Sequence, residues 1–167
     1  WAVTVVASAA PVTPGAAGRA LLDYVGSAVQ IERLQNSNLV PSVRLFPQID
    51  GGLLTALEMA SLVQRRFGAD IPRTIVASGP PFSSFVAGYF LSRDPRRQLV
   101  LEYRDEWSEC PFDFVSKSAA DVTWEARCLA RANQIIVTTE SQRTQLIQKF
   151  GMRIAVKCIV IPNGWEP

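Results

Sequence analysis

Short, dense apolar runs alternate along this chain with longer stretches whose apolar residues recur at helical spacing. Residues 2–7, Ala2-Val3-Thr4-Val5-Val6-Ala7, are rich in β-branched side chains without a helical repeat, which predicts a buried strand. Pro11, Pro14, Gly15 and Gly18 then break regularity and predict a loop. A second strand is predicted over 28–34, where Val29, Ile31 and Arg33 alternate with their neighbours, and 35–50, with Pro41 and Pro47, reads as irregular. A helix follows over 51–67, with Leu53, Leu57, Ala60, Val63 or Gln64, and Phe67 on one stripe, Asp50 as its cap and Gly68 at its end.

The alternation continues to the C-terminus. Residues 74–78 predict a short buried strand that runs into Ser78-Gly79-Pro80-Pro81. A helix over 83–92 turns Phe82, Val86 and Phe90 to one side, and a strand covers Gln98–Tyr103. Residues 113–118 read as loop, 119–132 as a helix with Val122, Ala126 and Leu129 inward, and 134–138 as a strand. A helix over 139–150 opens with Thr139 and Gln142 in a capping-box pattern, and a last strand over 156–161 stops at Pro162-Asn163-Gly164. Strands alternating with amphipathic helices predict an α/β fold whose mainly parallel sheet is covered on both faces.

Composition narrows the function classes. With 167 residues, 48% hydrophobic and 19% charged, the chain can bury a core of its own. Its net charge is only +2 and its basic residues are scattered, so nucleic acid is not an expected partner. Cys110, Cys128 and Cys158 form no CxxC pair and histidine is absent, so no metal site is expected, and three reduced thiols fit a cytoplasmic protein. A Ser-His-Asp or Cys-His mechanism has no histidine to run on. No GxGxxG or P-loop pattern is present, which argues against an oxidoreductase built on this fold and leaves no cofactor expected. Residues 1–12 are apolar but lack the basic lead of a signal peptide.

Ligands of open parallel sheets bind at the carboxyl ends of the strands. Three loops qualify. In Ser78-Gly79-Pro80-Pro81-Phe82-Ser83-Ser84, Gly79 permits close backbone approach and the following helix offers free N–H groups; the same residues would equally make a rigid turn with Ser83 as a cap. In Tyr103-Arg104-Asp105-Glu106-Trp107, a tryptophan beside carboxylates suits a sugar ring, and would equally suit a solvated turn with Trp107 packed on a helix. In Thr138-Thr139-Glu140-Ser141 the hydroxyls are explained by capping, and Glu140 is the candidate substrate contact.

At these loops the sequence resembles the N-terminal domain of bacterial glycosyltransferases of family four. The resemblance is carried by Ala77-Ser78-Gly79-Pro80-Pro81-Phe82-Ser83-Ser84, by Leu101-Glu102-Tyr103-Arg104-Asp105-Glu106-Trp107, by Glu125 and Arg127 ahead of Ala132-Asn133-Gln134-Ile135-Ile136-Val137-Thr138-Thr139, and by Val160-Ile161-Pro162-Asn163-Gly164. It is close over 73–165 and loose over 1–70. Two departures stand out: Phe85 takes the place of a histidine that lies near the transferred sugar in relatives, and Glu102 that of a common aspartate.

The resemblance implies a Rossmann-like three-layer sandwich that is one half of a GT-B fold. It also implies transfer of a sugar, with retention, from a nucleotide-sugar donor to a carbohydrate or lipid-linked acceptor, in polysaccharide biosynthesis. Residues 1–167 are then a single Rossmann-like domain, a fragment without the C-terminal donor-binding half and inactive alone. Residues 2–7 resemble the family's second strand, which leaves the first βα unit outside the chain; alternatively they are its first strand, with Pro14-Gly15-Ala16-Ala17-Gly18-Arg19 as a Gly-rich loop. The implied catalytic residues are Arg104 and Asp105, and the implied substrate contacts Gly79, Pro80, Ser83, Phe85, Trp107 and Glu140. A cytoplasmic location, at the inner face of the membrane for a lipid-linked acceptor, goes with this reading. The competing expectation is a non-catalytic binding domain derived from the same fold, with Phe85 marking lost chemistry.

Overall fold

The computed structural model describes residues 3–8, 29–34, 49, 52–71, 73–111 and 118–164. The expected loops at 11–18 and 113–117 and the expected Asp50 cap lie outside these residues. The chain divides into two compact units, 1–42 and 43–167. In the first, strands β1 (Val3–Ser8) and β2 (Val29–Leu34) pair in parallel, Val3 opposite Val29 through Ser8 opposite Leu34.

The second unit holds helix α1 (Leu53–Phe67), strand β3 (Thr74–Gly79), helix α2 (Ser83–Leu91), strand β4 (Gln98–Tyr103), helix α3 (Ala119–Arg131), strand β5 (Gln134–Val137), helix α4 (Glu140–Phe150) and strand β6 (Cys158–Val160). Its four strands form an all-parallel sheet in the order β3-β4-β5-β6, an α/β, Rossmann-like arrangement. Because the strands follow one another across the sheet, right-handed crossovers carry α2, α3 and α4 over the same face. That face is the core. Ala77, Leu101, Ile135 and Cys158 stand side by side in register on it and all are buried, with Leu99, Tyr103 and Val137. The residues between them point the other way, where Val76 is 62% and Ile159 42% exposed.

Two helices are turned from the predicted faces, although Ala60 in α1 and Leu129 in α3 are buried as expected. In α1 the buried residues are Ala56, Met59 and Ala60, while Leu54 and Leu57 are exposed; the small residues face inward, where a helix can lie close. Its N-cap position is Gly52, without a side-chain cap, and Gly68 (φ 51°) ends it as predicted. In α3 the buried side chains are Asp121, Glu125, Cys128 and Leu129, while Val122 is 38% exposed and Ala126 is also exposed. The last strand is shorter than expected, because Met152–Lys157 winds into a 3-10 turn.

The sheet is trimmed by side chains at its amino end. Asn133 returns both bonds to β4, its Oδ1 accepting from Leu99 N (2.9 Å) and its own N–H donating to Leu99 O (2.8 Å). Lys157 Nζ donates to the carbonyls of Leu129, Ala130 and Ala132 at the end of α3, which satisfies groups that a helix terminus leaves open. Burial there, with Arg131 nearby, lowers the lysine pKa.

Candidate functional site at the carboxyl ends of β3 and β4

The turns leaving β3 and β4 are joined. Arg104 N–H donates to Gly79 O at 3.0 Å, so the first residue beyond β4 is bonded to the last residue of β3. Behind this bond four aromatic rings pack together. Phe82 stacks on Trp107 (4.9 Å between centroids, 2° between planes), and Phe85 meets Phe82 and Tyr103 edge-on at 5.1 and 4.7 Å. Such contacts add dispersion and quadrupole attraction to the burial itself.

This packing decides the placement of the sequence-predicted residues. Arg104, Asp105 and Pro80 are exposed and Glu106 is half-buried. Trp107 is 3% exposed, with one ring face on Phe82 and its Nε1 donating to Asp121 Oδ1 at 2.8 Å, so it is a strut and not an open sugar platform. Phe85 and Ser83 are wholly buried. Gly79 also serves packing: a Cβ there would come within 2.6 Å of the Phe82 ring, so the space its missing side chain leaves is filled by protein and not by a ligand. Ser83 is not a helix cap, since α2 has no side-chain cap and Ser83 Oγ finds no hydrogen-bond partner among the described residues; Ser84 Oγ donates to Ser78 O instead.

The third loop sits at the carboxyl end of β5, next to β4. Thr139 Oγ1 accepts from Gln142 N–H (3.1 Å) as predicted, while Gln142 Oε1 accepts from Thr138 N–H (3.0 Å). Glu140 is exposed and paired with Arg143 at 3.3 Å.

Glu125, one of the residues that carry the family resemblance, holds the β4 turn together with Asp121, Ser108 and Lys149, which pattern reading left out. Glu125, 1% exposed, accepts from Tyr103 Oη (3.1 Å) through Oε1 and from Ser108 N–H (3.2 Å) and Ser108 Oγ through Oε2. Lys149 Nζ donates to Ser108 Oγ (2.9 Å) and pairs with Glu109. Asp121 accepts from Trp107 and from Ser118 N–H and Oγ, in a capping box. Burial raises the Glu125 pKa against the opposing pull of its Ser108 and Tyr103 hydrogen bonds and of Lys149. Burial, then the adjacent Glu125 carboxylate, holds the Tyr103 hydroxyl well above its ordinary value. Hydropathy gave no signal here because α3 points its charged residues inward. The available signals were the place of Glu125 in the family pattern and its spacing of one helical turn from Asp121.

An all-parallel sheet with paired loops at its carboxyl edge defines an α/β domain of glycosyltransferase type once its family is known. The chain belongs to the glycosyl transferase 4-like domain family, whose model matches residues 1–164. The match reaches beyond the segment 73–165, where the motif resemblance is close, to include β1 and β2. No curated protein matches the chain. Among the described residues, no helix is long and apolar enough to cross a membrane.

Proposed function

We propose that this chain is the acceptor-side half of a GT-B glycosyltransferase, which moves a sugar from a nucleotide-sugar donor to an acceptor hydroxyl with retention of configuration. The single observation carrying the reading is the Arg104 N–H to Gly79 O bond, which brings the β3 and β4 turns to one edge, with Pro80 exposed on the first turn and Arg104 and Asp105 exposed on the second. In this reading the Arg104 guanidinium offsets negative charge that develops on the leaving phosphate, and Asp105 orients the acceptor hydroxyl. Pro80 and Glu140 contribute to the rim, and Gly79, Ser83, Phe85 and Trp107 support the wall from behind. The donor is held mainly by a second domain, so the chain alone is inactive. The acceptor is a carbohydrate or a lipid-linked sugar, met in the cytoplasm or at the inner face of the membrane.

The test is turnover by the complete protein with UDP-glucose and GDP-mannose as donor probes, read as nucleotide release with and without acceptor extract. Arg104→Ala and Asp105→Ala are each expected to cut turnover by about 10²-fold or more while the unfolding midpoint stays within error. Wild-type rates in both variants remove these residues from the site. A second reading, a non-catalytic binding domain, is favoured by Phe85, whose buried ring occupies the position of a titratable family residue. It predicts donor binding without turnover in the wild type.

A further inference from the structure

Glu125 is a costly residue to keep. A carboxylate with 1% exposure on the inner face of α3 gives up its hydration, and an apolar side chain of similar size would often leave a fold as stable or more so. What the carboxylate does is local. Its two oxygens reach both ends of one turn: Oε1 takes Tyr103, the last residue of β4, and Oε2 takes Ser108, five residues on. One helical turn earlier Asp121 takes Trp107 Nε1 (2.8 Å), and from α4 Lys149 takes Ser108 Oγ (2.9 Å) and Glu109. The turn is therefore fastened at 103, 107, 108 and 109, and by the backbone of 104 to Gly79. Only the side chains of Arg104, Asp105 and Glu106 are left outward of these ties, two of them exposed and the third half-buried.

We propose that Glu125 is a positioning residue, a buried clasp that closes the 103–108 turn and so fixes where Arg104 and Asp105 stand. The proposal rests on the reading of Arg104 and Asp105 as site residues, and it adds the group that sets their geometry. Misplacement of such groups by about 1 Å is enough to cost a large part of a rate. Glu125 touches no substrate in this scheme. Gln at 125 can still accept from Ser108 and meet the Tyr103 hydroxyl through its amide, so the clasp needs the shape and hydrogen-bonding capacity of the side chain more than its charge.

The test uses the complete protein and two readouts, amide hydrogen exchange and nucleotide release from UDP-glucose or GDP-mannose. Glu125→Ala is expected to speed exchange of peptides covering 104–110 by about tenfold or more while β3 and β5 peptides stay protected. It is also expected to lower kcat by about tenfold or more with donor KM within about twofold, and Glu125→Gln to restore both to within about threefold of wild type. Ser108→Ala, which removes a hydroxyl from the turn side of the clasp, is expected to change the same two readouts in the same direction and decides the matter if Glu125→Ala does not fold. Exchange that is unchanged over 104–110, or raised equally throughout the unit, overturns the clasp. A turn that opens with kcat unchanged overturns its link to the site. If Arg104→Ala and Asp105→Ala leave turnover at wild-type rates, the site assignment fails instead, whatever the exchange data give for Glu125.

Discussion

The tryptophan at 107 is committed to packing and to a buried carboxylate. Its ring is shared between Phe82 and the turn, and its Nε1 is spent on Asp121, itself 3% exposed. Trp107→Ala is expected to lower unfolding free energy by about 3–5 kcal/mol through loss of a buried ring. Trp107→Phe, which keeps a ring but strips a donor from a buried carboxylate, is expected to cost about 1–3 kcal/mol. Urea denaturation of both variants checks the pair, and a Trp107→Phe variant as stable as the wild type would mean that the Asp121 bond adds nothing. Glu125 gives the complementary case, a charge whose pKa is raised by burial. A raised folded pKa contributes stability that is present below the ordinary glutamate value and lost as pH rises through the folded one. The wild type is thus expected to gain stability relative to Glu125→Gln as the pH is lowered from neutral. A difference between the two denaturation midpoints that stays constant with pH would contradict this.

At the scale of elements, the fit of α2 to the sheet depends on Gly88. A Cβ there would sit 2.8 Å from Leu99 Cδ1 and 3.2 Å from Ala77 Cβ, both on the core face. Gly88→Ala should therefore destabilise despite alanine's better helix propensity, by about 1–3 kcal/mol from overpacking. A variant as stable as the wild type in thermal unfolding would show that α2 can shift to make room. Strand positions were legible in the sequence because a run such as Gln98–Tyr103 needs only its apolar density to be read. Helix positions were legible too, but not their orientation. In α3 a reading by hydropathy turns Val122 and Ala126 inward, yet polar partners on the β4 turn draw Asp121 and Glu125 into the core. In α1 the long leucines look like the core face, while Ala56, Met59 and Ala60 are the residues buried.

For the molecule as a whole, the three thiols report on packing. Cys110, Cys128 and Cys158 are buried and free, and burial raises the pKa of the latter two. A thiol reagent should therefore label the native chain slowly and all three sites promptly once it is unfolded. Rapid native labelling would mean that the core opens readily. Activity also belongs to this scale: the isolated chain is expected to release no nucleotide from a donor that the complete protein turns over. Release by the chain alone would place the donor site within residues 1–167.

Taken by itself, the sequence determined that the chain alternates strand and helix, and that the loops after residues 78, 103 and 138 come together at one edge of a parallel sheet. It did so because apolar periodicity and the fixed hand of the crossovers are local properties of the chain. The family was legible in the same loops, from Ser78-Gly79-Pro80-Pro81 through Tyr103-Arg104-Asp105. Only the tertiary structure decided which loop residues remain open to a ligand. That depends on neighbours distant in sequence: Phe82 fills the space beside Gly79, Asp121 captures Trp107, and Glu125 closes the turn beneath Arg104. Exposure is a property of packing between elements, and no pattern along a single segment encodes it.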